Sequence, residues 1–258
     1  MSNGLPGART AKWAPGPGNV VAMVARLSAN RGQNVGSLMR AAQVDQAELE
    51  AAFKGDASNP SVLRRLAPAL GLHAADLFVL AGLDVPSDLA PFAAPADSIL
   101  DQVVRTALRL PLDRCQQLLG VARSMSPPAP IAPIARKRDP FPYGPGAVIV
   151  RLLRNRNLNN LNSAKALYRL AGIGPLSAAT IHLVGNGRKQ LSPELLSGFA
   201  TVLSFRVEDL AALIDVELPQ SCPPADARTS QVAELIWEVR HLRSDQLHAL
   251  QGEFEVAA

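Results

Sequence analysis

Aromatic side chains are scarce in this 258-residue chain, at 4% of the sequence. A core made of Leu, Val and Ala with so few rings favours packed helices over a β-sandwich. The two cysteines, Cys115 and Cys222, lie far apart and lack metal-ligand spacing. They exclude a disulfide framework and fit a reducing cytoplasm. No run approaches the roughly 20 apolar residues that a membrane helix needs. The opening stretch MSNGLPGARTAKWAPGPG has no apolar centre and does not read as a signal peptide, and the closing EFEVAA carries no lipidation signal. There is no P-loop, dinucleotide fingerprint or nucleophile elbow, and no Ser-His-Asp or Cys-His grouping. No enzymatic activity and no cofactor are therefore expected. His241 and His248 are seven apart, on one face of an expected helix, but no third ligand accompanies them. With His73 and His182 they are expected in structural or solvent-facing roles, not as a metal site.

What is present is a foldable chain. Hydrophobic residues make up 48% and charged residues 19%, which excludes wholesale disorder. The length suits one large domain or two small ones. A net charge of +4 and a pI near 9.4 permit nucleic-acid binding without demanding it.

The chain repeats itself. KWAPGPGNVVAMVARL, from Lys12, and FPYGPGAVIVRLLR, from Phe141, both pass from an aromatic residue through Gly-Pro-Gly into an amphipathic stretch. LAPALGLHAADLFVLAGLDVP (66–86) matches FATVLSFRVEDLAALIDVELP (199–219), pairing Asp76 with Asp209, Leu77 with Leu210, Leu80 with Leu213 and Pro86 with Pro219. Farther on, Pro95-Ala96-Asp97 matches Pro224-Ala225-Asp226, and Leu110 and Asp113 match Leu242 and Asp245. Three blocks in one order at a nearly constant offset argue against chance likeness between Ala/Leu-rich helices. They indicate a duplicated unit of roughly 130 residues, a normal domain size.

Between the copies lies MSPPAPIAPIARKRDPFPYGPG. Such proline density points to an extended, polyproline-like linker, and about 20 residues at about 3.1 Å each reach roughly 60 Å. Its Arg136-Lys137-Arg138 run is a solvated patch or a phosphate contact. Each copy reads as all-helical, without sustained period-two alternation. Val20, Val21, Val24 and Leu27 mark one helix face, and Val148, Ile149, Leu152 and Leu153 mark its counterpart. Leu100, Val103, Val104, Ala107 and Leu108 keep helical spacing, as do Val232, Leu235, Ile236, Val239 and Leu242. These later helices are expected to close the core of their own copy. The alternative is a pairing surface between copies or chains, with Trp237 as its anchor. The expected divisions are a tail at 1–18, a first unit at 19–122, the basic linker at 123–146 and a second unit at 147–258.

In copy one Asn34 can cap a helix through Leu38 to Ala42, and Val44 can plug the following turn. Asp45 can cap a second helix that holds Leu49 and stops near Gly55, and Asn59-Pro60 then breaks the chain. Val62, Leu66 and Leu70 open another amphipathic helix. This arrangement resembles the lambda-repressor-like, XRE-type helix-turn-helix family over roughly Asn19 to Pro86. Copy two repeats it, with Leu170, Leu176, Ile181 and Gly187 in the roles of Leu38, Val44, Leu49 and Gly55, and Pro193 near that of Pro60. It matches the family better at the turn: Leu176-Ser177 is like the family's Val-Ser, with Ser177 as N-cap, and Thr180-Ile181 is like its Thr-Ile. Gly172, Gly174 and Pro175, with extra residues around 157–162, depart from the pattern and bear on the angle between the two helices.

The resemblance implies an all-α fold of two tandem helix-turn-helix domains, each followed by a helical hairpin. It also implies that the second helix of a motif enters the major groove of double-stranded DNA. In copy two, Ser177, Ala178, Ala179 and His182 would face bases, and Thr180, Asn186, Arg188, Lys189 and Arg169 would meet phosphates. In copy one the equivalents are Gln46, Ala47 and Glu50, with Arg40 and Lys54 as further contacts. Asp45, Glu48 and Glu50 make that helix acidic and oppose docking. Copy two, with Arg151, Arg154 and Arg156 on its opening helix, is expected to bind DNA more strongly. Gly185-Asn186-Gly187 reads as a helix stop, with Ile181, Leu183 and Val184 in the core. The expectation is a cytoplasmic, nucleoid-associated bacterial transcription regulator with an asymmetric site. Homodimerisation or intramolecular pairing through the later helices accompanies it. The alternative is a helical adaptor that keeps the fold and binds protein.

Overall fold

The computed structural model describes residues 17–48, 60–92, 98–125, 141–142, 144–218 and 225–255. Regular structure among them is helical throughout. The first half holds α1 (Pro17–Asn30), α2 (Val35–Ala42), α3 (Pro60–Ala69), α4 (Ala74–Leu80), α5 (Ser98–Arg109) and α6 (Leu112–Ser124). The second holds α7 (Pro145–Arg154), α8 (Asn160–Ala171), α9 (Ala178–Gly185), α10 (Pro193–Leu203), α11 (Val207–Ile214) and α12 (Ala227–Glu238). A 3-10 turn (Val239–His241) and α13 (Ser244–Glu255) complete it. The linker residues 126–140 lie outside the described part, with Arg136, Lys137 and Arg138 among them.

Short polar side chains set the helix starts by accepting from otherwise orphaned amides. Asn34 accepts from the amides of Gly36 and Ser37 ahead of α2. Asn159, Ser177, Ser192 and Asp226 do the same for α8, α9, α10 and α12. Apolar periodicity sets the inner faces: Val148, Ile149, Leu152 and Leu153 are all buried on α7. On α1 the buried face is Met23, Val24 and Leu27, while Val21, expected inside, is 40% exposed.

The halves interlock. α1 packs on α11 of the other half, and α7 packs on α4. Each half's first helix thus covers an equivalent helix of its sibling. An ionic junction closes each crossing. Arg156 donates to both carboxylate oxygens of Asp76 at 3.0 and 2.9 Å and to the Leu203 carbonyl, and Asn155 donates to Asp76 at 2.8 Å. In the mirror arrangement Arg31 donates to Asp209 at 3.1 and 2.8 Å and to the Leu70 carbonyl, and Asn30 donates to Asp209 at 2.8 Å.

The later helices pair across the halves. α12 packs on α5 and α6, α13 packs on α5 and α6, and α5 also lies on α8. The hairpins pack on each other, and α12 also lies on α8 and α10 of its own half, so the two halves do not close as separate cores. Arg123 of α6 ties this cluster with ion pairs to Glu234 and Glu238 of α12. Trp237 stacks on His73 of the first half, with centroids 3.6 Å apart and planes 11° from parallel. Buried apolar residues of both halves form one continuous core. His241 ends the 3-10 turn and His248 lies on α13, so the break at 242–243 removes the common helix face expected for them.

Candidate nucleic-acid interface

The second-half site rests on the contact between α7 and α9. Gly146 brings the two backbones together: a Cβ there would stand 2.0 Å from the Val184 carbonyl oxygen. At Gly185 a Cβ would stand 2.8 Å from the Phe141 ring. Phe141 is buried and tucks in beside this end of α9, its ring centroid 5.2 Å from that of His182. Arg154 covers the Phe141 ring at 4.8 Å, and Arg151 donates to the Phe141 carbonyl. α8 packs on both α9 and α10.

Ser177 caps α9, its Oγ accepting from the Thr180 amide at 3.1 Å and lying 3.1 Å from Thr180 Oγ1. Ile181 and Val184 are buried, whereas Ala179, His182 and Leu183 face solvent. Leu183 was expected in the core, but it sits one position off the Ile181, Val184, Gly185 stripe and is 39% exposed. The helix stops at Gly185, and Gly187 takes a left-handed φ of 68°. The Arg188 amide turns back to the Leu183 carbonyl. Ser177, Arg188 and Lys189 are exposed, and Ala178, Thr180 and Asn186 are partly so.

Arg169 is not placed for phosphate. It is bidentate to Asp101 of α5 at 2.7 and 3.0 Å, and Lys165 reaches the same carboxylate. Arg156, counted among the cations of the opening helix, is 1% exposed and committed to Asp76. The connection between α8 and α9 spans residues 172–177, with a cis bond between Gly174 and Pro175.

The first-half turn is tighter. Residues 43–45 separate α2 from a helical turn at 46–48, and Gln43 is left-handed at φ 52°. Val44 is buried in it. Asp45 and Glu48 form a capping box: the Glu48 amide donates to Asp45, and the Asp45 amide donates to Glu48. Arg65 pairs with Glu48 at 3.0 Å and donates to the Gln43 carbonyl. Gln46, Ala47 and Arg40 are exposed, and Arg40 donates to the Ser37 hydroxyl at 3.1 Å. Glu50 and Lys54 lie outside the described residues, as do Leu49 and Gly55.

Sequence reasoning missed the ionic junctions and the stack of Trp237 on His73. Burial holds the His73 imidazole well below its usual range, at about 4, with Arg156 and Arg240 opposing a proton and Asp76 favouring one. Burial does the same to His241, also to about 4. Among the described residues no three His, Cys, Asp or Glu side chains gather as a metal site, and no helix is long and apolar enough to cross a membrane. Compared with protein-family models, with curated proteins and with solved structures, the chain matches none.

Proposed function

We propose that this chain is a DNA-binding transcriptional regulator built from two lambda-repressor-like helix-turn-helix units, of which the second is the stronger reader. One observation carries the reading. From Pro140 to Pro193 the sequence holds seven Lys and Arg residues and no Asp or Glu, although Arg156 is committed to Asp76, and Lys165 and Arg169 to Asp101. That segment comprises α7, α8 and α9, the three helices of the second motif. A polyanion meets no like charge from it, and Arg188 and Lys189 stand exposed just past α9. In the same part of the first motif Asp45 is exposed at the start of the corresponding helix, and Glu48 is half-buried against Arg65.

α9 enters the major groove, with Ser177, Ala178, Ala179 and His182 toward bases and Thr180, Asn186, Arg188 and Lys189 toward phosphates. The two interlocked halves stand in for the two-fold dimer of such proteins. Their unequal reading helices favour an asymmetric site, and a cytoplasmic, nucleoid-associated location follows from the role. The alternative, a helical adaptor, draws on Leu161 and Tyr168, which are 50% and 54% exposed on one face of α8.

The test is binding of purified full-length protein to genomic DNA fragments across a salt series. Wild type is expected to bind with a steep salt dependence. Arg188→Ala with Lys189→Ala is expected to weaken binding and to lower the log–log salt slope by about 2. Absence of salt-sensitive DNA binding in wild type would overturn the reading.

A further inference from the structure

We infer that the α9 surface senses the C5-methyl group of pyrimidines, so that its ligand is duplex DNA rich in thymine or carrying 5-methylcytosine. The inference rests on the reading of α9 as a groove-entering helix. The exposed face of α9 holds Ala179, His182 and Leu183. Ala179 and Leu183 are four apart, hence one above the other on that face. No Arg, Lys, Asn, Gln, Asp or Glu occurs from Ser177 to Gly185. Those are the side chains that make bidentate contacts to guanine and adenine or accept from cytosine.

The two hydroxyls at the helix start are partly engaged, with one O–H between them left to donate. Ser177 Oγ accepts from the Thr180 amide and shares a hydrogen bond with Thr180 Oγ1. Beside the exposed His182 imidazole, the outward face of α9 offers discrimination by apolar contact through Ala179 and Leu183. Among the base edges in the major groove, the thymine C5-methyl is the apolar mark, and 5-methylcytosine presents the same group. Leu183, 39% exposed in the last turn of a helix with no acidic neighbour, fits that mark. Flanking Arg188 and Lys189 supply the attraction to phosphate that brings it there.

The experiment keeps the protein intact and alters only the DNA. Full-length protein is titrated by fluorescence anisotropy against alternating poly(dA-dT) and alternating poly(dA-dU). A second pair is alternating poly(dG-dC) with cytosine or with 5-methylcytosine. Each contacted methyl buries about one CH₂ equivalent, so its loss is expected to weaken binding about fourfold. The methylated member of each pair should bind more tightly, and Leu183→Ser should erase the difference. Salt-sensitive binding that is equal for both members of each pair would overturn methyl sensing while leaving the DNA-binding reading intact. No salt-sensitive binding to any duplex would overturn both.

Discussion

Asp76 receives Arg156 as Asp209 receives Arg31. Asp76 takes Arg156 on both carboxylate oxygens and Asp209 takes two N–H groups of Arg31 on one oxygen; each also takes an asparagine amide from the opposite half, and each arginine ties down a leucine carbonyl of its own half. The repeat in the sequence is thus a repeat of an interface, with each half supplying both the carboxylate and the guanidinium. The junctions differ in their surroundings. Arg156 lies 5.1 Å from the Trp237 ring and 5.8 Å from the Phe205 ring, and it is sealed from solvent. Arg31 keeps 19% of its side chain exposed.

That difference orders the cost of breaking them. Asp76→Ala leaves a buried guanidinium without its counter-ion and is expected to cost about 3–5 kcal/mol. Asp209→Ala leaves Arg31 partly in reach of water and should cost about 1–3 kcal/mol. Urea denaturation monitored by circular dichroism gives both values. The double change Asp76→Leu with Arg156→Met removes the charges together and should recover most of the Asp76→Ala loss. Equal losses at the two junctions would contradict the role given to Trp237 and Phe205.

The stack of His73 on Trp237 makes stability depend on pH in a stated direction. The folded imidazole titrates near 4, below its usual 6.5, so the unfolded chain binds the proton more readily. This contribution is fully present above about 6.5, falls as pH drops toward 4, and levels off below that. His241, also near 4, adds a fall of the same sign. The urea midpoint is expected to drop between pH 7 and pH 5. His73→Phe, which keeps an apolar ring against Trp237, should remove part of that drop. In a Trp13→Phe background the emission of Trp237 reports the junction directly.

Local chemistry was legible in the sequence and long-range pairing was not. Asn34, Asp45 and Ser177 cap the helices expected of them because a cap is decided within three residues. Asp76 and Asp209 were visible as matched positions, but nothing in sequence spacing couples them to Arg156 and Arg31, dozens of residues away. An arginine near a helix end reads as solvated until a partner is known. For this reason the sequence alone places Arg169 at phosphate, whereas Asp101 of the other half holds it. Leu183 shows a different failure. Its hydropathy suggested the core, while the buried stripe Ile181, Val184 and Gly185 leaves it on the outer side of α9.

The α7–α9 contact is expected to tolerate no added carbon. Gly146→Ala places a methyl against a backbone oxygen of α9, and Gly185→Ala places one against the buried Phe141 ring. Each should cost about 1–3 kcal/mol, with Gly146 the costlier because backbone cannot turn aside. Gly120 of α6 has open space around its Cβ position. Gly120→Ala is expected to stabilise by about 0.5–1 kcal/mol through helix propensity alone. Thermal unfolding of the three variants checks the order.

The two caps offer a test that separates charge from fold. Asp45 and Ser177 do the same structural work, each accepting from the amide three residues on. Aspartate and serine are about equally good N-caps, so Ser177→Asp should leave the melting temperature nearly unchanged. It introduces the negative charge that the first half carries at this point, beside Thr180, which faces phosphate in the proposed docking. At 4 Å and an effective dielectric of about 20, one like-charge contact costs about 4 kcal/mol before salt screening, which still leaves at least tenfold weaker binding. Anisotropy titrations at low and physiological salt are expected to show that loss shrinking as salt rises. A Ser177→Asp protein that melts normally and binds DNA as wild type does would remove α9 from the DNA interface.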